Sequence, residues 1–225
     1  MIEPIRNLND ICFNSRKGLY KHWILSNKSD YSKMCDFMQK INFSIQDLNS
    51  EIPQLDKPTM KSIIYVIILV VWIQEAFEKI EKLYRQDVMS YFVYSKDSEL
   101  SNGKKYINAI RSFAVAHPLS TSRHPQFGFD GNYICVDIRD FKRDITSPFS
   151  KSDTIYELNF NGLYANGNRK CDFYFYVYSD KDDGMKFFRY IGCNFDDIYR
   201  VARLYIDKLY ALDKHLRKSK KNDYR

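Results

Sequence analysis

The sequence predicts an α+β fold: a predominantly helical bundle with a late antiparallel β segment and a C-terminal helix. Three observations carry this. Apolar residues recur at three- and four-residue spacing from about residue 29 to 116 and again from 195 to 216. Between these blocks, stretches near 133–139, 154–160, 171–179 and 185–193 switch to alternation. Only 8 Gly and 6 Pro in 225 residues argue against a loop-dominated chain. No Gly-, Ser- or Pro-rich linker and no internal repeat divides it. One domain over 1–225 is expected: a helical core (1–117), a loop and β elaboration (118–194), and a helix with a basic tail (195–225).

The first fifty residues read as two helices. Leu8, Ile11, Cys12, Leu19 and Trp23 are loosely helical in spacing. Ser29 is a candidate N-cap for the second, whose stripe is Met34, Phe37, Met38, Ile41, Ile45 and Leu48. A long helix follows from Pro58 to Tyr94, with proline in a first turn where its missing N–H costs nothing. Its Ile63–Ile73 stretch is apolar all round and belongs deep in the core. Glu75–Lys79, Glu78–Lys82 and Glu81–Arg85 are acid-to-base pairs at i,i+4 and mark a solvated face. Ser101-Asn102-Gly103 reads as a turn, and Lys104–Ala116 as a shorter helix stopped by Pro118.

From His117 to Gly131 the chain is polar, with two His-Pro pairs and a closing Asp-Gly turn signal. In the β segment, Phe173, Phe175 and Val177 face one side and Tyr174, Tyr176 and Tyr178 the other. Asp180–Gly184 is the turn to the hairpin partner Met185–Cys193. In the closing helix Asn194 is the cap, and Asp196 and Asp197 favour the positive end of the dipole. Its stripe is Ile198, Val201, Ala202, Tyr205, Leu209, Leu212 and Leu216.

The net charge is +7, partly from Lys214, Arg217, Lys218, Lys220, Lys221 and Arg225. Such an excess suits RNA or another anionic partner, and equally a soluble tail. The five cysteines are scattered, odd in number and without a C-x-x-C pair, so neither a zinc site nor a disulfide framework is expected. They read as thiols of a reducing, cytoplasmic compartment. Met1-Ile2-Glu3-Pro4 begins no signal peptide, and the longest apolar run has eleven residues against about 20 for a membrane span. No membrane association is expected.

Chemistry concentrates around Arg111-Ser-Phe-Ala-Val-Ala-His117 and the following Arg123-His124. Histidine moves a proton near neutral pH, toward or from a ribose 2′-OH or a leaving oxygen. Arginine supplies a permanent cationic fork for charge developing on phosphoryl oxygens. The pair resembles the R-x(4–6)-H motif of HEPN domains, here with five intervening residues after a long helix and a turn. Those helical bundles include metal-independent endoribonucleases of toxin–antitoxin, phage-defence and CRISPR systems. The resemblance covers about residues 57–120. It implies a cofactor-free ribonuclease or toxin-type effector, a homodimer whose two motifs meet in one cleft, and Arg111 and His117 as the catalytic pair. A cognate antitoxin or defence-system partner would fit that setting. Ser112 stands where the family carries Asn, Asp or His, and Pro118 follows the motif His.

Ser112, Arg123 and His124 are candidates for holding RNA, and Tyr174 and Tyr176 for stacking bases on a sheet face. Each has a plainer alternative: an Arg111–carboxylate pair, a polar helix end at His117, solvated loop residues, an amphipathic sheet face. On an ideal helix Arg111 and His117 lie about 120° apart around the axis. The competing function is a non-catalytic binding or assembly protein that holds a partner with its β segment. No P-loop, dinucleotide fingerprint, nucleophile elbow or H-E-x-x-H occurs, and no metal site or cofactor is expected.

Overall fold

The computed structural model describes residues 2–8, 28–84, 98–116, 133–137, 155–167, 171–179 and 187–222. Among them are helices α1 (Lys28–Glu51), α2 (Met60–Tyr84), α3 (Ser98–Arg111) and α4 (Phe195–Asn222). A 3-10 turn (Ile52–Gln54) follows α1, and a π-helical turn (Ser112–Ala116) follows α3. The strands are β1 (Tyr133–Asp137), β2 (Ile155–Asn159), β3 (Gly162–Gly167), β4 (Phe173–Ser179) and β5 (Phe187–Cys193). The fold is α+β: mostly helical, with a late sheet and a C-terminal helix.

The strands form one sheet in the order β1-β4-β5-β2-β3. Three pairings are antiparallel, and β2–β5 is parallel, so the expected antiparallel segment carries one parallel seam. β3 was not expected. It turns back from β2 through Phe160-Asn161, where the Asn161 N–H donates to Asn159 Oδ1 at 2.8 Å. Gly162 follows at φ +105°, a conformation that L side chains rarely adopt.

The chain divides into two compact units. The first gathers the described residues of Met1–Ile52, Leu69–Ser101 and Tyr199–Arg225; the second, those of Pro53–Ile68 and Asn102–Ile198. In the first unit the predicted stripes of α1 and α4 are buried: Met34, Met38, Ile41, Ile45 and Leu48, and Val201, Ala202, Tyr205, Leu209 and Leu212. Two pins hold α4 there. The Tyr199 hydroxyl donates to the Leu48 carbonyl at 2.7 Å, and the Tyr205 ring lies 5.2 Å from Phe77. Asn49 brackets the N-terminal segment, accepting from the Ile5 N–H at 2.7 Å and donating to its carbonyl at 2.9 Å.

Helix α2 starts later than expected. Thr59 is its cap, accepting the Ser62 N–H on Oγ1 at 3.1 Å, and Pro58 stands before the cap. Its apolar middle is not buried all round: Ile64, Tyr65 and Ile68 are half-buried. Trp72 is exposed, with the Lys40 ammonium 4.4 Å from its ring centre. Met60–Leu83 is long and apolar enough to cross a membrane, and 61% of its most apolar window is buried within the fold, as in a core helix.

In the second unit α3 runs straight through Ser101-Asn102-Gly103, the predicted turn. Gly103 is buried there, and packing of the helix overrides its weak helical preference. Strand β4 is covered on both faces. Phe173 and Phe175 are fully buried, with Phe195 5.2 Å from Phe173 and Phe113 5.6 Å from Phe175. On the other face Tyr174 packs with Cys171 and Tyr190.

The start of α4 also differs from expectation. Asn194 precedes the helix, but its carboxamide donates to Glu157 Oε1 at 3.4 Å. The Phe195 N–H is taken instead by Asp172, at 2.8 Å from Oδ2. A carboxylate 23 residues away caps the helix, a contact that no local pattern encodes.

Candidate functional site

Helix α3 earns its place in the second unit through Tyr106, Ile107, Ala109 and Ile110, all buried. Arg111 is the last residue of the helix and is exposed. No carboxylate among the described residues pairs with it. A cation is electrostatically favoured at a helix C-terminus, and its guanidinium stays open to an anion from solvent.

The π-turn begins at once. Ser112, Phe113 and Ala114 are buried, Val115 is half-buried and Ala116 is exposed. Phe113 anchors it by standing edge-on to Phe175, at 74° between ring planes. Strand β1 runs beside the same turn. A π-turn closes i→i+5 hydrogen bonds, so the 100° step of an ideal α-helix does not apply from 112 to 116. The 120° separation expected for Arg111 and His117 involves a residue outside the described ones. His117, Arg123 and His124 lie outside the described residues.

The remaining candidates divide. Ser112 is 8% exposed and its Oγ has no hydrogen-bond partner among the described residues, so it does not share the solvent face of Arg111. Tyr174 is 5% exposed, and its hydroxyl accepts the Cys171 N–H at 2.9 Å. A base has no ring face to lie on there, which corrects its expected stacking role. The physical reason is that β4 is an inner strand with both faces covered. Tyr176 is half-buried, with the Tyr190 ring 5.1 Å away.

Sequence reasoning missed a polar interior in the same unit. Glu157 is buried beneath the Asn194 carboxamide, and Cys171 and Cys193 are buried free thiols. The Cys171 Sγ occupies the space above Gly192: a Cβ on that glycine would stand 2.3 Å from it. Burial, with Cys171, Asp197, Glu157 and Asp172 nearby, pushes the Cys193 thiol well up, so it is a protonated core group and not a nucleophile. Burial first, then Cys193, Asp197, Cys171 and Glu157, pushes the Tyr106 phenol well up as well. That hydroxyl has no hydrogen-bond partner among the described residues. No group of three His, Cys, Asp or Glu side chains placed to hold a metal occurs among the described residues.

A cavity of about 470 Å³ opens between α3 and the β2–β3 hairpin, lined by Asn102, Lys105 and Tyr106 on the helix and Leu158, Phe160 and Leu163 on the hairpin, among others. Only the Asn161-Gly162 turn signal hints at it in the sequence.

No protein family, no curated protein and no solved structure matches this chain.

Proposed function

We propose that this protein is a HEPN-like, metal-independent endoribonuclease or toxin-type effector that works in the cytoplasm, as a homodimer, on RNA. Arg111 stabilises the negative charge that builds on the phosphoryl oxygens, and His117 transfers the proton to or from the ribose or leaving oxygen. Arg123 and His124 hold the phosphate flanking the scissile bond. The 2′-oxygen attacks phosphorus as the P–O5′ bond breaks. The proton leaves the 2′-hydroxyl and arrives on the 5′-oxygen, leaving a 2′,3′-cyclic phosphate.

The observation that carries this reading is Arg111 itself. It is a solvent-facing guanidinium with no carboxylate partner among the described residues, and it opens directly into a π-turn. Such turns are rare inside helices and recur at functional sites. The +7 charge suits a polyanionic substrate, and the buried free thiols suit a reducing compartment.

The deciding experiment is an RNA digest in excess EDTA. Cleavage with cyclic-phosphate or 3′-phosphate ends is expected, reduced about 10²–10⁴-fold in both Arg111→Ala and His117→Ala. Unchanged circular dichroism establishes that the variants fold. Full activity in both variants rejects the pair.

A further inference from the structure

We propose that the cavity between α3 and the β2–β3 hairpin is a binding site for a planar aromatic molecule carrying an anionic group. Its size lies within the range of small-molecule pockets, about 300–1,000 Å³.

The lining defines the ligand. One wall is a ring pair: Tyr106 and Phe160 lie 5.4 Å apart with 20° between their planes. Leu158 and Leu163 add aliphatic surface, so the body of the ligand is flat and apolar. Lys105 is exposed and is the one charged side chain among the described lining residues, which favours an anion and offers nothing to a cation.

The wall is also preformed. Asn159 commits both ends of its carboxamide to the hairpin, donating to the Tyr164 hydroxyl at 2.9 Å and accepting the Asn161 N–H at 2.8 Å. A rigid wall loses little freedom when a ligand binds. At Gly162 nothing lies within 4 Å of the place a Cβ would take, so the hairpin end of the cavity is uncrowded.

This site is separate from the proposed ribonuclease centre. Tyr106 and Arg111 are five residues apart on α3 and project about 140° apart around its axis. The inference does not rest on RNA cleavage.

Two sources share the ligand chemistry: nucleoside monophosphates and aryl carboxylates. Calorimetric titration of the full-length protein with 5′-AMP, adenosine and 2-naphthoate separates them. Saturable one-to-one binding of an anionic probe is expected, with Kd on the order of 10–1,000 μM. AMP binding alone identifies a nucleotide, and naphthoate binding alone an aryl acid. Adenosine should bind at least about tenfold more weakly than AMP where AMP binds, a gap that Lys105→Met closes. Leu163→Trp, filling the cavity, should abolish binding. If Leu163→Trp does not fold by circular dichroism, Lys105→Met decides: it should weaken binding of the anionic probe about tenfold. Absence of binding by both anionic probes up to about 5 mM, or binding indifferent to the folded variants, overturns the proposal.

Discussion

Two buried tyrosines, one in each compact unit, show how differently the units use the same side chain. Tyr199 in the first unit is fully buried and spends its hydroxyl on the Leu48 carbonyl. Tyr106 in the second is nearly as buried, and its hydroxyl has no partner among the described residues. Burial is the largest cause of the raised pKa in both. The partnered group is a pin between helices; the unpartnered one lies buried near Cys193, Asp197, Cys171 and Glu157. The surrounding cores differ in the same direction. The first is largely aliphatic, built on Ile41, Ile45, Leu48, Val70, Ile73, Leu209 and Leu212. The second turns on rings: Phe113, Phe173, Phe175, Phe195, Tyr106 and Tyr174. Aliphatic side chains tolerate small shifts of register, whereas rings impose edge and face geometry on their neighbours.

The largest effect should come from the ring core. Phe175→Ala removes the partner of both Phe113 and Phe173 and should cost about 3–5 kcal/mol in urea unfolding. Leu209→Met in the aliphatic core should cost less than about 1.5 kcal/mol. Equal losses would erase the contrast.

Next comes Gly192→Ala, which sets a methyl against the Cys171 sulfur and should cost about 1–3 kcal/mol. Cys171→Gly in the same chain, which removes both the sulfur and the Cβ that would stand 2.7 Å away, should restore part of that loss, a coupling measured by a double-mutant cycle. Additive losses would mean that the Cys171 side chain is not the obstacle.

The tyrosine contrast is smaller and more direct. Tyr199→Phe leaves the Leu48 carbonyl without its donor and should cost about 1 kcal/mol. Tyr106→Phe removes a hydroxyl that pairs with nothing described and should be neutral or slightly stabilising in the free protein.

The gentlest test is alkaline pH. Cys193, Tyr106 and Tyr199 hold their protons more tightly folded than unfolded, so their contribution is complete below the ordinary values of 9.0 for the thiol and 10.0 for the phenols. It is lost as pH rises beyond them, because the unfolded chain then releases protons first. The unfolding midpoint should stay level from neutrality to about pH 8.5 and fall above about pH 9. Cys193→Ala should delay the first part of that fall.

Much of the fold was legible because burial leaves a period. The predicted stripes of α1 and α4 are buried from Met34 to Leu48, apart from half-buried Phe37, and from Ile198 to Leu212. The bounds of strands β1, β2, β4 and β5 fall within two residues of those of their alternating stretches. What stayed hidden depends on distant partners. Gly103 looks like a turn until the buried face of α3 is counted. Alternation in β4 suggests a wet tyrosine face, yet Cys171 and Tyr190 cover Tyr174. The cap of α4 comes from Asp172, and the parallel β2–β5 seam joins residues more than thirty apart. In the candidate site, a helix carrying Arg111 followed directly from the sequence, though it was expected to run on to Ala116 and not to end at Arg111. The π-turn did not, because Ser-Phe-Ala-Val-Ala reads as ordinary helix.

The seating of sulfur over glycine turns this protein into its own stopwatch. Cys35 is half-buried in the first unit, while Cys171 and Cys193 are fully covered in the second. A thiol reagent followed by peptide mass spectrometry should modify Cys35 early and the other two only when the sheet breathes. The lag between them reads out how often the second unit opens, with no dye, tag or substitution added to the chain.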